Sequence, residues 1–451
     1  MENSRRDFIK KAGLASAGIV LAGQGMSAMS YNKIIGANDR VNVGIIGFSD
    51  RLKGALLPSL KNHYKELNFE VTAISDIWKV RREEGAKYML DNFATTPKLY
   101  KNNEELYRDK EINAVIISTA DFQHALHTVE AAEAGKDIYV EKPFAETMED
   151  NKRAKAAVLK AGVVVQIGSQ RRSGRNYHAA NEYIKSGKFG DIVMAEMTWN
   201  VNQPGRWRRP KLVESIKQED TDWTRFLMNR PYREWDPRIY IEYRLFWPFS
   251  SGIPGQWMAH QIDTVHWFTG YNFPRSVSAN GGIYQWKDGR TNYDTMTAVM
   301  DYGPLDNMNK GFQVMYSSRM NNSAGGTKEI YYSNGGELNL DTNVVSPNGG
   351  LEKNYADAMG VKENLLTEFS LPAAEKVASG SNTGADPLTS AHMRNWMECI
   401  RSRKQTNAPI DAGYYHSVAC IMVNAALRTH EFVKFDVEKQ EVVAGGKIFK
   451  F

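Results

Sequence analysis

The chain has 451 residues, 42% hydrophobic and 24% charged, a soluble globular composition long enough for two or three domains. Its net charge is only +5, and residues 1–28 supply two of those charges, so nothing marks a nucleic-acid footprint. Two cysteines, Cys399 and Cys420, exclude a disulfide scaffold or a zinc ribbon and leave room for one bridge.

Ser4-Arg5-Arg6-Asp7-Phe8-Ile9-Lys10 opens the chain. A run of 12 small and apolar residues follows, Ala12 to Gly23. A membrane span needs about 20. A basic start, a short apolar run and small residues near Ala28 form the pattern of an export leader. The arginine pair resembles the twin-arginine signal, which implies export in the folded state and a periplasmic or exported protein.

From Val41 the pattern changes. Val41–Gly47, Phe69–Asp76, Ile112–Ser118, Asp137–Glu141 and Val163–Ile167 are short β-branched runs. Stretches of helical length separate them, such as Leu126–Gly135 and Met148–Gly162. Strand and helix alternating in this way predict a doubly wound, Rossmann-type parallel sheet. Its first turn ordinarily carries G-x-G-x-x-G. Here Gly47 fills the first place, Ser49 the second and Leu52 the third, a broken fingerprint. Asp76 ends the second strand, 29 residues after Gly47. There a carboxylate accepts hydrogen bonds from an adenosine ribose and repels a 2′-phosphate, which favours NAD over NADP. The same acid also suits a helix N-cap or a turn.

The next segments carry a resemblance. Thr119-Ala-Asp-Phe-Gln-His124 follows the third strand, and Ala134-Gly-Lys-Asp-Ile-Tyr-Val-Glu141-Lys142-Pro143 ends the fourth. Gly168-Ser-Gln170-Arg171-Arg172, Lys185 to Ile192 and Trp257-Met-Ala-His260-Gln-Ile-Asp263-Thr-Val-His-Trp267 follow. Together they resemble the glucose–fructose oxidoreductase / inositol dehydrogenase (Gfo/Idh/MocA) family, and Arg428 to Val443 resembles the close of its exported members. The resemblance implies an α/β fold in which an open, mostly antiparallel sheet forms a C-terminal α+β domain. The expected division is a leader over 1–28, a nucleotide domain over 38–168, a substrate and dimerisation domain over 169–430, and a tail over 431–451. Helices within 388–430 are expected to pack back on the nucleotide domain.

The resemblance also implies the site. Gly47, Phe48, Ser49, Asp76, Thr119, His124, Glu141, Lys142 and Gln170 would bind NAD, with NADP less favoured. Lys142 and His260 would handle the proton of a reacting hydroxyl. Arg171, Trp207, Arg208, Gln256, His260 and Asp263 would bind a sugar or glycoside. Two departures stand out: Gln256 replaces the family's usual Asp four residues before the histidine, and Ala120 replaces a proline. Glutamine orients a hydroxyl but relays no proton. His260 and His266 lie about 120° apart on a helix, a poor metal pair, so no metal is expected.

Aromatic and arginine residues crowd the insertion from Asn200 to Ser251. Such residues stack on sugar rings and bridge their hydroxyls, although core packing explains most of them. Farther on, 274–302 alternates as strands, 321–350 reads as hairpins and loops, and 378–387 as a polar linker. Ser390–Arg401 and Tyr415–Thr429 have helical spacing. Three activities fit. The first is an NAD-dependent oxidoreductase on a sugar hydroxyl, a homodimer or larger homo-oligomer. The second is an NAD-dependent glycosidase resembling glycoside hydrolase family 109, with transient C3 oxidation and elimination. The third is a non-catalytic sugar-binding protein on the same scaffold.

Overall fold

The computed structural model describes residues 39–372 and 386–450. The leader and most of the polar linker lie outside the described residues.

The first sheet has six parallel strands: β1 (Val41–Ile46), β2 (Phe69–Ser75), β3 (Lys98–Tyr100), β4 (Ala114–Ile117), β5 (Asp137–Val140) and β6 (Val165–Ile167). Their order is β3-β2-β1-β4-β5-β6, so the topology reverses between β1 and β4. Both faces are covered, as a β-branched parallel strand requires. Ala114 and Ile116 enter one apolar cluster, while Val115 and Ile117 enter the other. The edge strand β3 is an addition to the sequence reading. It has three residues, two of them exposed, and carries no apolar period.

The helix Met148–Ala161 starts at Thr147, whose side chain accepts from Asp150 N, and ends at left-handed Gly162. A helix from the far end of the chain completes one face of this domain. Pro387–Ser402, capped by Asp386, buries Met393, Trp396, Met397 and Ile400 beneath β1 and β2. The next helix, Ile410–Thr429, contacts β6 and the helix Met148–Ala161 but fills the second core. Helices within 388–430 therefore do join the two halves.

The second sheet has eleven strands. They are β7 (Ile192–Asn200), β8 (Ser276–Gly282), β9 (Thr295–Tyr302), β10 (Phe312–Arg319), β11 (Thr327–Ser333), β12 (Gly336–Asn339), β13 (Val344–Ser346), β14 (Phe369–Ser370), β15 (Val433–Asp436), β16 (Glu441–Ala444) and β17 (Lys447–Ile448). The order is β14-β13-β12-β11-β7-β10-β9-β8-β15-β16-β17, and only β7 and β10 pair in parallel. Alternation sets the faces: Met296, Ala298, Met300 and Tyr302 of β9 point into the core under the helix Ala259–Thr269. Residues 431–450, within the expected tail, do not form a separate segment. β15 pairs with β8, and β16 and β17 extend that edge. These strands are too short to show a period in sequence.

Both cysteines are buried free thiols, and they lie in different cores. Among the described residues no helix is long and apolar enough to cross a membrane.

Candidate active site

A cavity of about 470 Å³ runs along the carboxyl ends of β1, β2, β4 and β5 and passes under segments 206–209, 240–244 and 256–260. This is the topological switch point, where doubly wound sheets bind ligands.

At one end the broken fingerprint still makes its turn. Gly47 has φ +82°, and a Cβ there would lie 2.7 Å from Thr119 Cγ2, so no other residue fits. Ser49, in the second glycine's place, puts Oγ 2.6 Å from Ser118 Oγ and accepts from Leu52 N at 3.2 Å. It thus satisfies a free N–H at the start of the helix. Leu52 takes the third place by packing into the core. Phe48 buries its ring there too, and its backbone N–H donates to Asp76 Oδ2 at 2.8 Å. Asp76 Oδ1 accepts from Trp78 N at 2.8 Å. Asp76 therefore anchors the turn while lining the cavity. Burial raises its carboxyl pKa, and the two N–H donors oppose that. Thr119 Oγ1 is buried with no hydrogen-bond partner among the described residues, an orphan at the cavity wall.

His124 lines the same wall. Its Nδ1 lies 2.7 Å from Pro143 O and its Nε2 3.2 Å from Thr119 O. The ring pins the Thr119 loop to the Glu141-Lys142-Pro143 turn. Glu141 Oε1 accepts from Arg51 Nε at 3.1 Å and from Gln170 Nε2 at 3.2 Å. Gln170 also reaches Tyr139 Oη at 3.2 Å.

At the other end stands Lys142. Its Nζ donates to the Gln256 carbonyl at 2.6 Å. Burial lowers its pKa to about 8, against the raising effect of Glu141 and Asp121. His260 lines the cavity beside it and stacks on Trp199 at 5.8 Å. Burial, and then the Lys142 charge, hold its pKa well below the usual range, so it is a neutral imidazole. Arg171 is ion-paired with Glu329 and lies 5.8 Å from the Trp199 ring. Trp207 lies against Trp257 at 5.6 Å.

Gln256 lines the cavity with its polar atoms already engaged. Its Oε1 accepts from Arg244 Nε at 3.1 Å, and its Nε2 donates to Asp121 Oδ2 at 2.5 Å. Asp121 is fully buried and also accepts from Ser250 Oγ at 2.6 Å. A carboxylate therefore sits behind the glutamine, at the position where the resemblance implied an aspartate.

Two expected substrate residues fall elsewhere. Asp263 is not in the cavity wall. It is 1% exposed and takes both Arg172 Nε and Nη2, at 2.8 and 2.9 Å. Arg208 turns away to Glu242 and Asp288, at 3.0 and 3.4 Å. Its neighbours Arg206 and Arg209 line the cavity instead. His266 meets Tyr302 Oη at 2.9 Å. Sequence reasoning missed Arg51, Asp121, Trp199, Arg206 and Tyr243. Arg51 carried a signal, since it sits in the first turn after the broken fingerprint. Trp223, Phe226 and Phe249 of the insertion pack over Phe122, the bland role expected for most of that segment.

Residues 41–169 match the GFO_IDH_MocA family model, described as an oxidoreductase family with an NAD-binding Rossmann fold. Over those residues the chain carries the NAD-binding Rossmann domain of the Gfo/Idh/MocA oxidoreductase family. Inositol 2-dehydrogenase of Salmonella typhimurium is 31% identical over 242 residues, which is 53% of this chain and 66% of that protein. The chain thus spans just under two thirds of the Salmonella inositol 2-dehydrogenases it matches. A glycosyl hydrolase family 109 protein of Shewanella pealeana is 25% identical over 46% of this chain and 50% of that protein. A solved levoglucosan dehydrogenase, in complex with NADH and levoglucosan, superposes with a TM-score of 0.62 over 88% of this chain and 99% of that one, at 16% identity. At that identity the likeness is one of fold.

Proposed function

We propose that this protein oxidises a hydroxyl of a sugar or related polyol and passes hydride to a tightly held NAD. The observation that carries the reading is Lys142: an amine with a pKa near 8, aimed into the cavity 2.6 Å from a fixed carbonyl and flanked by neutral His260.

A dinucleotide suits the residues present. The Gly47 turn leaves no room for a Cβ, and Thr119 offers an orphaned hydroxyl. Gly47, Phe48, Ser49 and Arg51 would hold the pyrophosphate, Asp76 the adenosine ribose, and Thr119, Glu141 and Gln170 the nicotinamide half. When bound, the cofactor supplies the hydride acceptor. The chain supplies the rest. Neutral Lys142 takes the proton from the reacting hydroxyl, and the Gln256 carbonyl holds the resulting ammonium. His260 accepts from or donates to a neighbouring hydroxyl and fixes which carbon faces the acceptor. Trp199, Trp207 and Trp257 offer stacking surface for the ring.

The test is the cofactor released from the purified, denatured full-length protein, identified by absorbance and mass, followed by turnover on a panel of sugars and polyols. Stoichiometric NAD and substrate-dependent reduction support the reading. No nucleotide, with none bound on addition, leaves a sugar-binding protein. The similarity to family 109 proteins favours one second reading, transient oxidation followed by glycoside elimination. Glycoside cleavage without net change in NADH would establish it.

The preference for NAD rests on Asp76. Asp76→Ala is expected to raise the ratio of NADP to NAD affinity by about 10- to 100-fold, because it removes one charge beside the 2′ position. Titration of both nucleotides reads it, and an unchanged ratio would place the choice elsewhere.

We propose export through the arginine-pair leader, to be read by the location of a fused reporter. We also propose assembly into a homodimer or larger homo-oligomer across the outer face of the large sheet. There Val299 and Met315 pair across β9 and β10 and face away from the core. Sedimentation reads it.

A further inference from the structure

Between β5 and the helix Met148–Ala161 the chain runs from Glu141 to Thr147 without strand or helix. This segment carries Lys142, and its residues Pro143, Phe144 and Ala145 are buried. A buried backbone outside regular structure must find its hydrogen bonds elsewhere. Here side chains supply them. His124 Nδ1 donates to Pro143 O at 2.7 Å. Phe144 N–H donates to His416 Nε2 at 3.3 Å, and Ala145 N–H to Ser417 Oγ at 3.0 Å, each across 272 residues of chain. A histidine nitrogen accepts only on a neutral ring. Burial holds the His416 pKa at about 4, against the raising effect of Asp263, so the ring is neutral at pH 7. Gly413 of the same helix closes the contact. A Cβ there would stand 2.9 Å from Phe144 Cγ and 2.8 Å from Ile167 Cδ1. Glycine is a poor helix former, and this close approach accounts for it.

The helix Ile410–Thr429 also holds the other half of the site. Cys420 lies four residues after His416, on the same helix face. Its thiol donates to Pro254 O at 3.3 Å. Pro254 opens the turn Pro254–Met258, which carries Gln256 and runs into the helix of His260. Ala419, Ile421 and Met422 share a core with Trp257 and Met258. Lys142 Nζ and the Gln256 carbonyl meet at 2.6 Å across 114 residues of chain, and this helix is a support common to both.

We propose that His416, Ser417 and Cys420 are positioning residues for the chemistry at Lys142: through them one helix fixes the separation between the turn that carries the base and the segment that carries Gln256 and His260. None of the three is in the cavity wall. This rests on the sugar oxidoreductase reading and extends its machinery to the far end of the chain.

The test uses full-length protein carrying its cofactor. Competitive acetylation over a range of pH, followed by mass spectrometry of the Lys142 peptide, reads the titration of the lysine without any turnover. The charged groups around the amine are Glu141, Asp121, Arg244 and Arg51, and none of the variants changes them. His416→Leu keeps the bulk and removes the acceptor. The loosened turn lets water reach the amine, so its titration should move up from about 8 to about 9. Over a panel of sugars kcat should fall by about 10- to 100-fold, with KM within about 3-fold. His416→Gln keeps an acceptor and should restore most of both. Where the leucine variant does not fold, Ser417→Ala and Cys420→Ala, which each delete one heavy atom, carry the same test with a fall in kcat of about 3- to 10-fold. Variants that melt lower but leave the Lys142 titration and kcat unchanged overturn the proposal, because a merely structural role moves stability alone. A displaced titration in a protein that oxidises no sugar keeps the helix as the support of Lys142 and overturns the hydride-transfer reading. Sugar oxidation with kcat indifferent to every variant does the reverse.

Discussion

Lys142→Met is expected to cut turnover sharply and at the same time to make the protein harder to unfold. The activity loss follows from the loss of the amine placed to take the hydroxyl proton. General-base catalysis is worth about 10²- to 10⁴-fold, so kcat should fall by that factor while the cofactor stays bound. In the unaltered protein kcat/KM should rise as pH passes through about 8, the lowered pKa of this lysine, because only the neutral amine accepts a proton. Residual activity of the variant should lack that limb.

The stability gain follows from the same shift. The Lys142 pKa falls from 10.5 to about 8 on folding. Between those values the unfolded chain holds a proton that the folded chain has released. The folded state is therefore penalised progressively as pH falls from 10.5 to 8, and below 8 it carries the whole penalty, at most about 3 kcal/mol. Methionine removes it. The lost bond to the Gln256 carbonyl gives back about 1 kcal/mol, leaving a net gain on the order of 1–2 kcal/mol at pH 7. Melting temperatures of both proteins from pH 6 to 11 read this. The variant should melt higher at neutral pH, and its advantage should disappear above pH 10.5. Retained turnover would remove Lys142 from the chemistry. An advantage that does not vary with pH would remove the titration from the argument.

Strands β1, β2, β4, β5 and β6 were legible because burial on both faces leaves an unbroken β-branched run. β3 was not, because an exposed three-residue edge carries no such run. Glu141, Lys142 and His260 were legible because each lies in a motif with a fixed place in the fold. The errors came where direction, not position, mattered. Arg208 and Arg206 flank Trp207, which has φ +65°, and no period tells which neighbour of such a bend faces inward. Asp263 lies three residues after His260 on the same helix, about 60° around it. That is enough to turn one side chain to the cavity and the other to buried Arg172. Asp121 was beyond reach for another reason. It meets Gln256 across 135 residues of chain, and only the packing of the insertion over the first domain brings them together.

That contact makes Asp121 a positioning residue for the lysine. Its charge raises the Lys142 pKa, and its Oδ2 fixes the amide whose backbone carbonyl holds Nζ. Asp121→Asn keeps the shape and removes the charge. Lys142 then releases its proton more readily, so the rising limb of kcat/KM should move below pH 8. The weaker base and the less firmly held Gln256 should lower the plateau by about 10-fold. Gln256→Asp has the opposite sign. It adds a second carboxylate on the residue whose backbone carbonyl holds the amine, so the limb should move above pH 8. Side-by-side pH profiles of the two variants test the pair. A purely structural role for Asp121 would lower the melting temperature of both and leave both limbs at about 8. Limbs displaced in opposite directions would show that the carboxylate behind Gln256 sets the basicity of Lys142, although it touches neither the lysine nor the cavity.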